Sequence, residues 1–343
     1  MATPVKQKFG KKDLLSRIGT IVAPFSSGTA GGTCEPFPLL SNQAYKTLFL
    51  YLSGTVNVAT NNLTAVLANG VHKLLQSIAV TVNKGPGPVA VDGYTLFTKN
   101  VKDWGCVPVY ADLASVNIGN GKAFSALFRI DFVTPRYPGG DATMHKMFPG
   151  FLYNLEVTFG AVTNLGTPAI AGQMTWEAAP TIDVIAHEIL DVDKFDASGR
   201  QIPNTYNALN QYTFPITAIS NSFKVPLPYG GKVNEYILHV TDANGLYSNA
   251  ILNSITLKNG DKEVMRTIPA SLLRAVQDPL AGKPGTLAAP TGVYYVDLAY
   301  NDSFRSVRDT TGMTELQLLL DTAALGNIKI LANEFRLGAD VPK

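Results

Sequence analysis

Gly292-Val-Tyr-Tyr-Val-Asp297 is the stretch whose reading decides the fold. Val and Tyr suit a pleated, half-buried surface, and the run between a glycine and an aspartate has the length of a short core strand. Upstream stands Thr267-Ile-Pro-Ala-Ser-Leu-Leu-Arg-Ala-Val-Gln277. Thr267 serves as an N-cap, Pro269 is tolerated in a first turn, and Asp278-Pro279 stops the segment. Ile268, Leu272, Leu273 and Val276 recur at helical spacing, which predicts one amphipathic helix from Thr267 to about Val276. Downstream, Leu316-Gln-Leu-Leu-Leu320 and Ile328-Lys-Ile-Leu-Ala-Asn-Glu-Phe-Arg336 read as two further strands.

Outward from this end, strand signals continue to the beginning of the chain. Thr47 to Val58, Val71 to Val82, Tyr94 to Phe97, Val107 to Ala111, Ala123 to Phe132 and Leu152 to Phe159 are apolar or alternating runs. Gly85-Pro-Gly-Pro88 reads as a sharp break, and Pro138-Gly-Gly-Asp141 as a polar loop. After Gly166 to Gly172 the series restarts with Met174 to Ile189, a long strand or a bent pair. Tyr212 to Ile219, Val233 to Val240 and Ala250 to Leu257 follow. Many short strands at this spacing predict an all-β chain of two tandem antiparallel sandwiches. Leu155-x-Val157-x-Phe159 before Leu165-Gly166 recurs as Leu316-x-Leu318-x-Leu320 before Leu325-Gly326, about half the chain later. Apolar alternation is common in β-proteins, so both coincidence and duplication of one domain stay open.

The bulk numbers agree with that organisation. At 343 residues the chain exceeds the usual size of one core. Only 16% of residues are charged, against about 25% in average soluble domains, so much of the surface is neutral and suited to lateral packing. The net charge of +2 is unevenly placed: Lys6, Lys8, Lys11, Lys12 and Arg17 against Asp13 make a basic start before a near-neutral body. Two cysteines, Cys34 and Cys106, are no disulfide framework and fit a reducing cytoplasm. Gly19-Thr-Ile-Val-Ala-Pro-Phe25 is too broken for a signal-peptide core. The apolar run Leu48 to Leu52 is far short of the roughly 20 residues that span a bilayer.

The helix, the strand Gly292 to Asp297 and the strand ending Ala332-Asn-Glu-Phe-Arg336 together resemble the second half of the major coat protein of tectiviruses, tailless bacteriophages with an internal membrane. The likeness is sharp over residues 267–336, loose over 44–165, and has no residue-level match between 166 and 260. It implies a double jelly roll of two tandem eight-stranded rolls, divided as a basic arm and linker (1–34), a first roll (35–166) and a second roll (167–343). A homotrimer of pseudo-hexagonal outline would tile an icosahedral shell over a membrane, beside penton and minor capsid or membrane proteins. The family places a short helical arm beneath the capsomer. Here Lys6, Lys8, Lys11, Lys12 and Arg17 would meet anionic lipid, with Leu14, Leu15 and Ile18 on the apolar face. No cofactor, catalysis or specific nucleic-acid binding is implied.

Motifs for chemistry are weak. His187-Glu188-Ile-Leu-Asp191-Val-Asp193-Lys-Phe-Asp196-Ala-Ser-Gly199 is acidic but fails the calcium-loop spacing, since position 5 from Asp191 is Phe195. The histidines, His72, His145, His187 and His239, form no metal motif, and His239 reads as a packed or edge residue. No Gly-x-Ser-x-Gly elbow occurs. Ser26 to Thr33 is glycine-rich without the phosphate-binding lysine. The rival reading is a carbohydrate-binding sandwich such as a spike or receptor-binding protein. It would need exposed aromatic platforms, and Trp104 and Trp176 have no aromatic cluster beside them in the sequence. A two-sandwich hydrolase ranks third.

Overall fold

The computed structural model describes residues 12–40, 43–58, 63–113, 121–133, 145–146, 151–190, 205–277, 290–298 and 308–337. The first half contains β1 (Lys12–Val22), β2 (Gly32–Thr33), β3 (Phe37–Leu39), β4 (Ala44–Val58), β5 (Leu63–Val66), β6 (Leu75–Val82), β7 (Gly85–Val91), β8 (Tyr110–Ala111) and β9 (Lys122–Asp131). It continues through β10 (His145–Lys146), β11 (Tyr153–Phe159), β12 (Gly166–Pro168), β13 (Met174–Trp176) and β14 (Thr181–Leu190). Two helices belong to it, α1 (Gly70–Lys73) and α2 (Gly93–Trp104). The second half contains β15 (Thr205–Ile216), β16 (Ser220–Pro226), β17 (Lys232–Asp242), β18 (Leu252–Asn259), β19 (Lys262–Pro269), α3 (Ala270–Gln277), β20 (Val293–Asp297), β21 (Arg308–Asp309), β22 (Leu316–Thr322) and β23 (Gly326–Leu337).

Each half is a jelly roll of two four-stranded layers. In the first roll β1-β14-β4-β9 faces β2/β3-β11-β6-β7; in the second β15-β23-β17-β20 faces β16-β22-β18-β19. Strand for strand the order is the same, and a helix follows the fifth strand position in both rolls (α2 after β7, α3 after β19). β11 and β22 hold equivalent places, so the repeat of Leu155 and Leu316 marks matching strands. It lapses at the following Leu-Gly pair. Gly326 opens β23 directly, whereas Gly166 opens the short β12 and the matching β14 starts at Thr181. The rolls join through one sheet, because β15 pairs parallel to β7 at Leu209↔Val89 and Asn210↔Ala90.

Alternation builds the cores. Along β4, Leu48, Leu50 and Leu52 point inward beside Ile130, Phe128 and Ala126 of β9 and Ala186, Val184 and Ile182 of β14. Tyr236, Leu238, Val240, Tyr294, Val296, Ile328 and Ile330 fill the second core with Leu318 and Leu320. At roughly 1.5–3 kcal/mol for each fully buried large apolar side chain, these layers supply the main drive to fold.

Several sequence expectations give way to tertiary structure. The basic start is no amphipathic helix over Leu14, Leu15 and Ile18: these residues lie in β1, the first strand of the first roll, zipped antiparallel to β14 from Lys12↔Leu190 to Val22↔Thr181. Eleven residues of strand pairing outweigh a helical pattern too short to be stable alone. The boundaries at 34 and 166 therefore miss the first core, which takes in Ile21 before them and Met174, Trp176, Ile182, Val184 and Ala186 after them. Tyr94 to Phe97 belongs to helix α2, and Val71 to α1. Gly85-Pro-Gly-Pro88 lies within β7; the turn is instead Asn83-Lys84, with φ of 51° and 63° at both central positions of a tight hairpin. Pro86 and Pro88 are tolerated beside the register shift between Val80 and Val82. Gly87 is required there, since a Cβ would lie 1.8 Å from the Val80 carbonyl oxygen. Thr267 lies inside β19, which runs on to Pro269, and α3 begins only at Ala270. The loop at 138–141 and the stop at Asp278-Pro279 lie outside the described residues.

Candidate functional site

The most elaborate polar site is the seam where α2 of the first roll lies on the β15-β23-β17-β20 sheet of the second. Asp92 caps the helix, accepting the Thr95 N–H at 2.7 Å, and Gly105 ends it in the left-handed region at φ 55°. These two signals flank an apolar run, Tyr94-Thr-Leu-Phe97, that imitates a strand. The capping pair is the sequence signal that would have revealed the helix. Gly93 through Lys102 is buried on every side, between the first core and the neighbouring sheet.

Three carboxylates and two ammoniums meet at this seam. Lys99 Nζ lies 3.0 Å from Glu235 Oε1 and also pairs with Asp103; Lys102 Nζ pairs with Glu235 and lies 2.9 Å from Asp297 Oδ2. Asn333 Nδ2 donates to Glu235 Oε1 at 3.0 Å. Burial works to raise the Glu235 pKa, but the ammoniums of Lys102 and Lys99 and these hydrogen bonds hold it well below the usual carboxylate range. Burial likewise works against the charge on Lys99 and Lys102, and the surrounding carboxylates overcome it and raise both. Glu235, Lys99 and Lys102 stay ionised, as a buried ion network requires if it is to compensate its lost hydration.

The rest of α2 is stitched to both rolls. Lys329 Nζ is 2.6 Å from Asp92 Oδ2, and Gln211 exchanges hydrogen bonds with Asp92, donating Nε2 at 3.1 Å and accepting the backbone N–H at 2.9 Å. His239, buried in β17, has its Nε2 2.7 Å from Thr98 Oγ1, and burial lowers its pKa to about 4. Tyr295 O–H donates to the Thr98 carbonyl at 3.3 Å. Toward its own roll, Asn100 donates to the Arg129 carbonyl at 2.7 Å and accepts its N–H at 3.0 Å. Nothing here offers a nucleophile beside a base in an open cleft; the arrangement fixes one roll against the other. Its bonded members are up to 237 residues apart, which is why the sequence does not show them together.

Of the residues expected in a membrane-facing arm, the described ones lie along β1. Lys6, Lys8 and Lys11 lie outside the described residues, and Lys12 opens β1. Arg17 Nη2 is paired at 2.6 Å with Asp183 on the surface, Ile18 is half-buried against the core, and Leu14 and Leu15 are exposed as strand neighbours on opposite faces. In the acidic stretch, His187 and Glu188 lie in β14 and residues 191–199 fall outside the described set. Among the described residues no group of His, Cys, Asp and Glu is arranged to hold a metal, and no helix is long and apolar enough to cross a membrane. The tryptophans do have aromatic or cationic neighbours. Trp176 is buried with Phe25 and Phe124, and exposed Trp104 has the Arg129 guanidinium 3.4 Å above its ring, which occupies that face against a sugar.

No family model and no curated protein matches the chain by sequence. Solved structures do match. The major capsid protein of bacteriophage PM2 superimposes with a TM-score of 0.60 at 12% identity, over 97% of this chain and 100% of that one. The STIV MCP, from Sulfolobus Turreted Icosahedral Virus, gives 0.65 at 12% identity over 94% and 96%. The Faustovirus major capsid protein gives 0.55 at 8% identity over 98% and 92%. The fold is the double jelly roll of viral major capsid proteins. In double jelly-roll terms the seam is the joint between the two rolls, and α2 is its wedge.

Proposed function

We propose that this chain is the major capsid protein of an icosahedral virus with an internal membrane, a structural, non-catalytic component of the virion shell. The observation that carries the reading is the fusion of two rolls of identical strand order through one continuous sheet, over nearly the whole length of capsid proteins that share the fold. Two rolls held rigidly side by side by the Lys99–Lys102–Glu235–Asp297 network give each chain two similar facets. Three chains around a closed axis then present a roughly hexagonal outline. The low charge of the surface lets copies approach without strong repulsion. Penton and minor capsid or membrane proteins are the further partners of such a shell, assembled in the host cytoplasm. The basic residues Lys6, Lys8 and Lys11, ahead of β1, would face anionic lipid, each worth about 1 kcal/mol near such a surface.

Electron microscopy of the purified, concentrated chain tests the reading. Six-lobed capsomers or shells tiled by them are expected; particles of a single two-lobed chain under all conditions would refute it. Flotation with anionic vesicles tests the lipid contact separately. Deleting residues 1–11 is expected to abolish co-flotation without loss of folding, and unchanged flotation would remove the arm from the account.

A further inference from the structure

An amine and two carboxyl groups meet in the seam in an arrangement that can do more than hold the rolls by charge. Glu235 and Asp297 are cross-strand partners on β17 and β20, so their side chains stand beside each other. Lys102 of α2 reaches both: its Nζ pairs with Glu235 Oε2 and lies 2.9 Å from Asp297 Oδ2. The carboxyl carbon of Asp297 is one bond further on, so the amine is held against the carboxyl it could attack. We propose that Lys102 and Asp297 condense into an isopeptide bond, with Glu235 carrying a proton, and that this bond joins the two rolls covalently. It forms within the folded chain, whatever that chain assembles into.

The step balances without a cofactor or an oxidant. Lys102 enters as an ammonium and Asp297 as a carboxylate. One proton passes along the 2.9 Å contact to Asp297 Oδ2, which gives the uncharged isomer of the pair. The Nζ lone pair then attacks Asp297 Cγ, and the N–C bond forms while Glu235 Oε2 takes the second proton. Glu235 returns that proton to the departing hydroxyl, the C–O bond breaks, and one water leaves. An uncharged amide and a regenerated Glu235 carboxylate remain.

Three features of the seam favour the reaction. The first is dryness. In bulk water hydration stabilises the separate ions, and abundant water opposes condensation. Lys102 and Glu235 are buried, so that stabilisation is withheld, and the amide replaces a buried ammonium and the carboxylate beside it. The second is that the two carboxyl groups have distinct places. Glu235 Oε1 is held at 3.0 Å by Lys99 Nζ and at 3.0 Å by Asn333 Nδ2, which leaves Oε2 toward Lys102. The third is an exit. Asp297 ends β20 with its side chain 22% exposed, so water released from its carboxyl can reach solvent. The ionised network is the resting state, and the uncharged isomer is the minor form that reacts, so the bond accumulates slowly after folding.

The first roll repeats the ladder without the reactive set. Thr47 pairs with Asp131 as Glu235 does with Asp297, and His187 lies beside Thr47 as Asn333 does beside Glu235. One strand further out, Leu15 pairs with His187 as Leu209 does with Asn333. The cation paired with Asp131 is Arg129, whose guanidinium keeps its proton and is no nucleophile. A threonine stands where the proton carrier would be, so no bond is expected there.

The mass of the denatured full-length chain, measured after days at neutral pH, is the test. The main species is expected to be lighter than its sequence by one water, once any loss of the first methionine is counted. Digestion with trypsin is expected to give one branched peptide, uncut after Lys102, that joins the segments carrying Lys102 and Asp297. The full sequence mass would overturn the proposal. So would the loss of water at another place, such as a cyclised aspartate without a branched peptide. Lys102→Arg keeps the positive charge but not the nucleophile, and Glu235→Gln keeps the shape but not the proton carrier. Both are expected to show the full sequence mass while circular dichroism reports a folded chain. A branched peptide from Glu235→Gln would overturn the part given to Glu235. The parent's own mass decides the bond even if neither variant folds.

Discussion

The outer faces of the β1-β14-β4-β9 and β15-β23-β17-β20 sheets share a ladder but differ in chemistry. On the second-roll face a glutamate, an aspartate, an asparagine and a histidine meet a helix carrying two lysines, and all but the half-buried Asp297 are buried. On the first-roll face the same positions hold Thr47, Asp131, His187 and Tyr51, and the centre is Phe49, Leu127 and Ile185, partly open to solvent. The contrast shows that two rolls of the same strand order carry different chemistry at matching places. One face is sealed within the chain by a buried charge network, while the other carries the local pairs Arg129–Asp131 and Arg17–Asp183 around its apolar centre. Asp131 is the one acidic residue common to both sets of matching places. It sits where Asp297 does, bonded by Thr47 at 2.7 Å and Arg129 at 2.9 Å, and its burial raises its pKa.

The largest effect that would break this comparison is in the seam. Glu235→Leu strands Lys99 and Lys102 without their shared carboxylate and is expected to cost about 3–5 kcal/mol, read as a lower midpoint in urea. Thr47→Val, at the matching place, removes one neutral hydroxyl and is expected to cost about 1–2 kcal/mol. Equal losses would show that the seam is no more than ordinary packing.

The leucine pair sharpens the same point. Leu209→Ala is expected to destabilise the chain by about 2–5 kcal/mol, and Leu15→Ala by less than about 0.5 kcal/mol when measured on dissociated chains. A large loss from Leu15→Ala in the isolated chain would mean that β1 is a core strand in its own right.

Acid gives a smaller, graded effect. Burial lowers His72 to about 3 and His239 to about 4, from 6.5. The unfolded chain thus takes up these protons first, so stability is full above pH 6.5 and is lost as pH falls toward 4 and below. Neither ring nitrogen of His72 has a hydrogen-bond partner among the described residues, and the ring stacks 3.8 Å from Phe97. His72→Phe is therefore expected to flatten the acid limb between pH 6.5 and 4; an unchanged slope would assign that limb to the carboxylates. The smallest effect belongs to Trp104→Ala, which removes the cation–π contact with Arg129 and is expected to cost about 0.5–1 kcal/mol in thermal unfolding.

How much of this the sequence disclosed follows from what each segment has to satisfy. Gly292 to Asp297, Ala123 to Phe132 and Leu152 to Phe159 declare themselves because one face or both meet a core, and the resemblance to capsid proteins rests on such strands. Segments that answer to a partner read wrongly. Lys12 to Val22 has helical spacing of Leu14, Leu15 and Ile18, yet pairing with β14 decides its state. Leu272 and Val276 share helical spacing with the buried Leu273, yet both are exposed, because the local pattern does not say which side of the helix meets a core. The ion network was not legible at all, since Lys99, Glu235 and Asp297 are unremarkable polar residues until the fold brings them within 3 Å or so of one another.

The most direct test of the central claim is the solution mass of the full-length chain by light scattering across a range of protein concentration and salt. The account predicts a stable species of about 110 kDa, three times the 36.7 kDa chain. A mass of one chain at every concentration would contradict it.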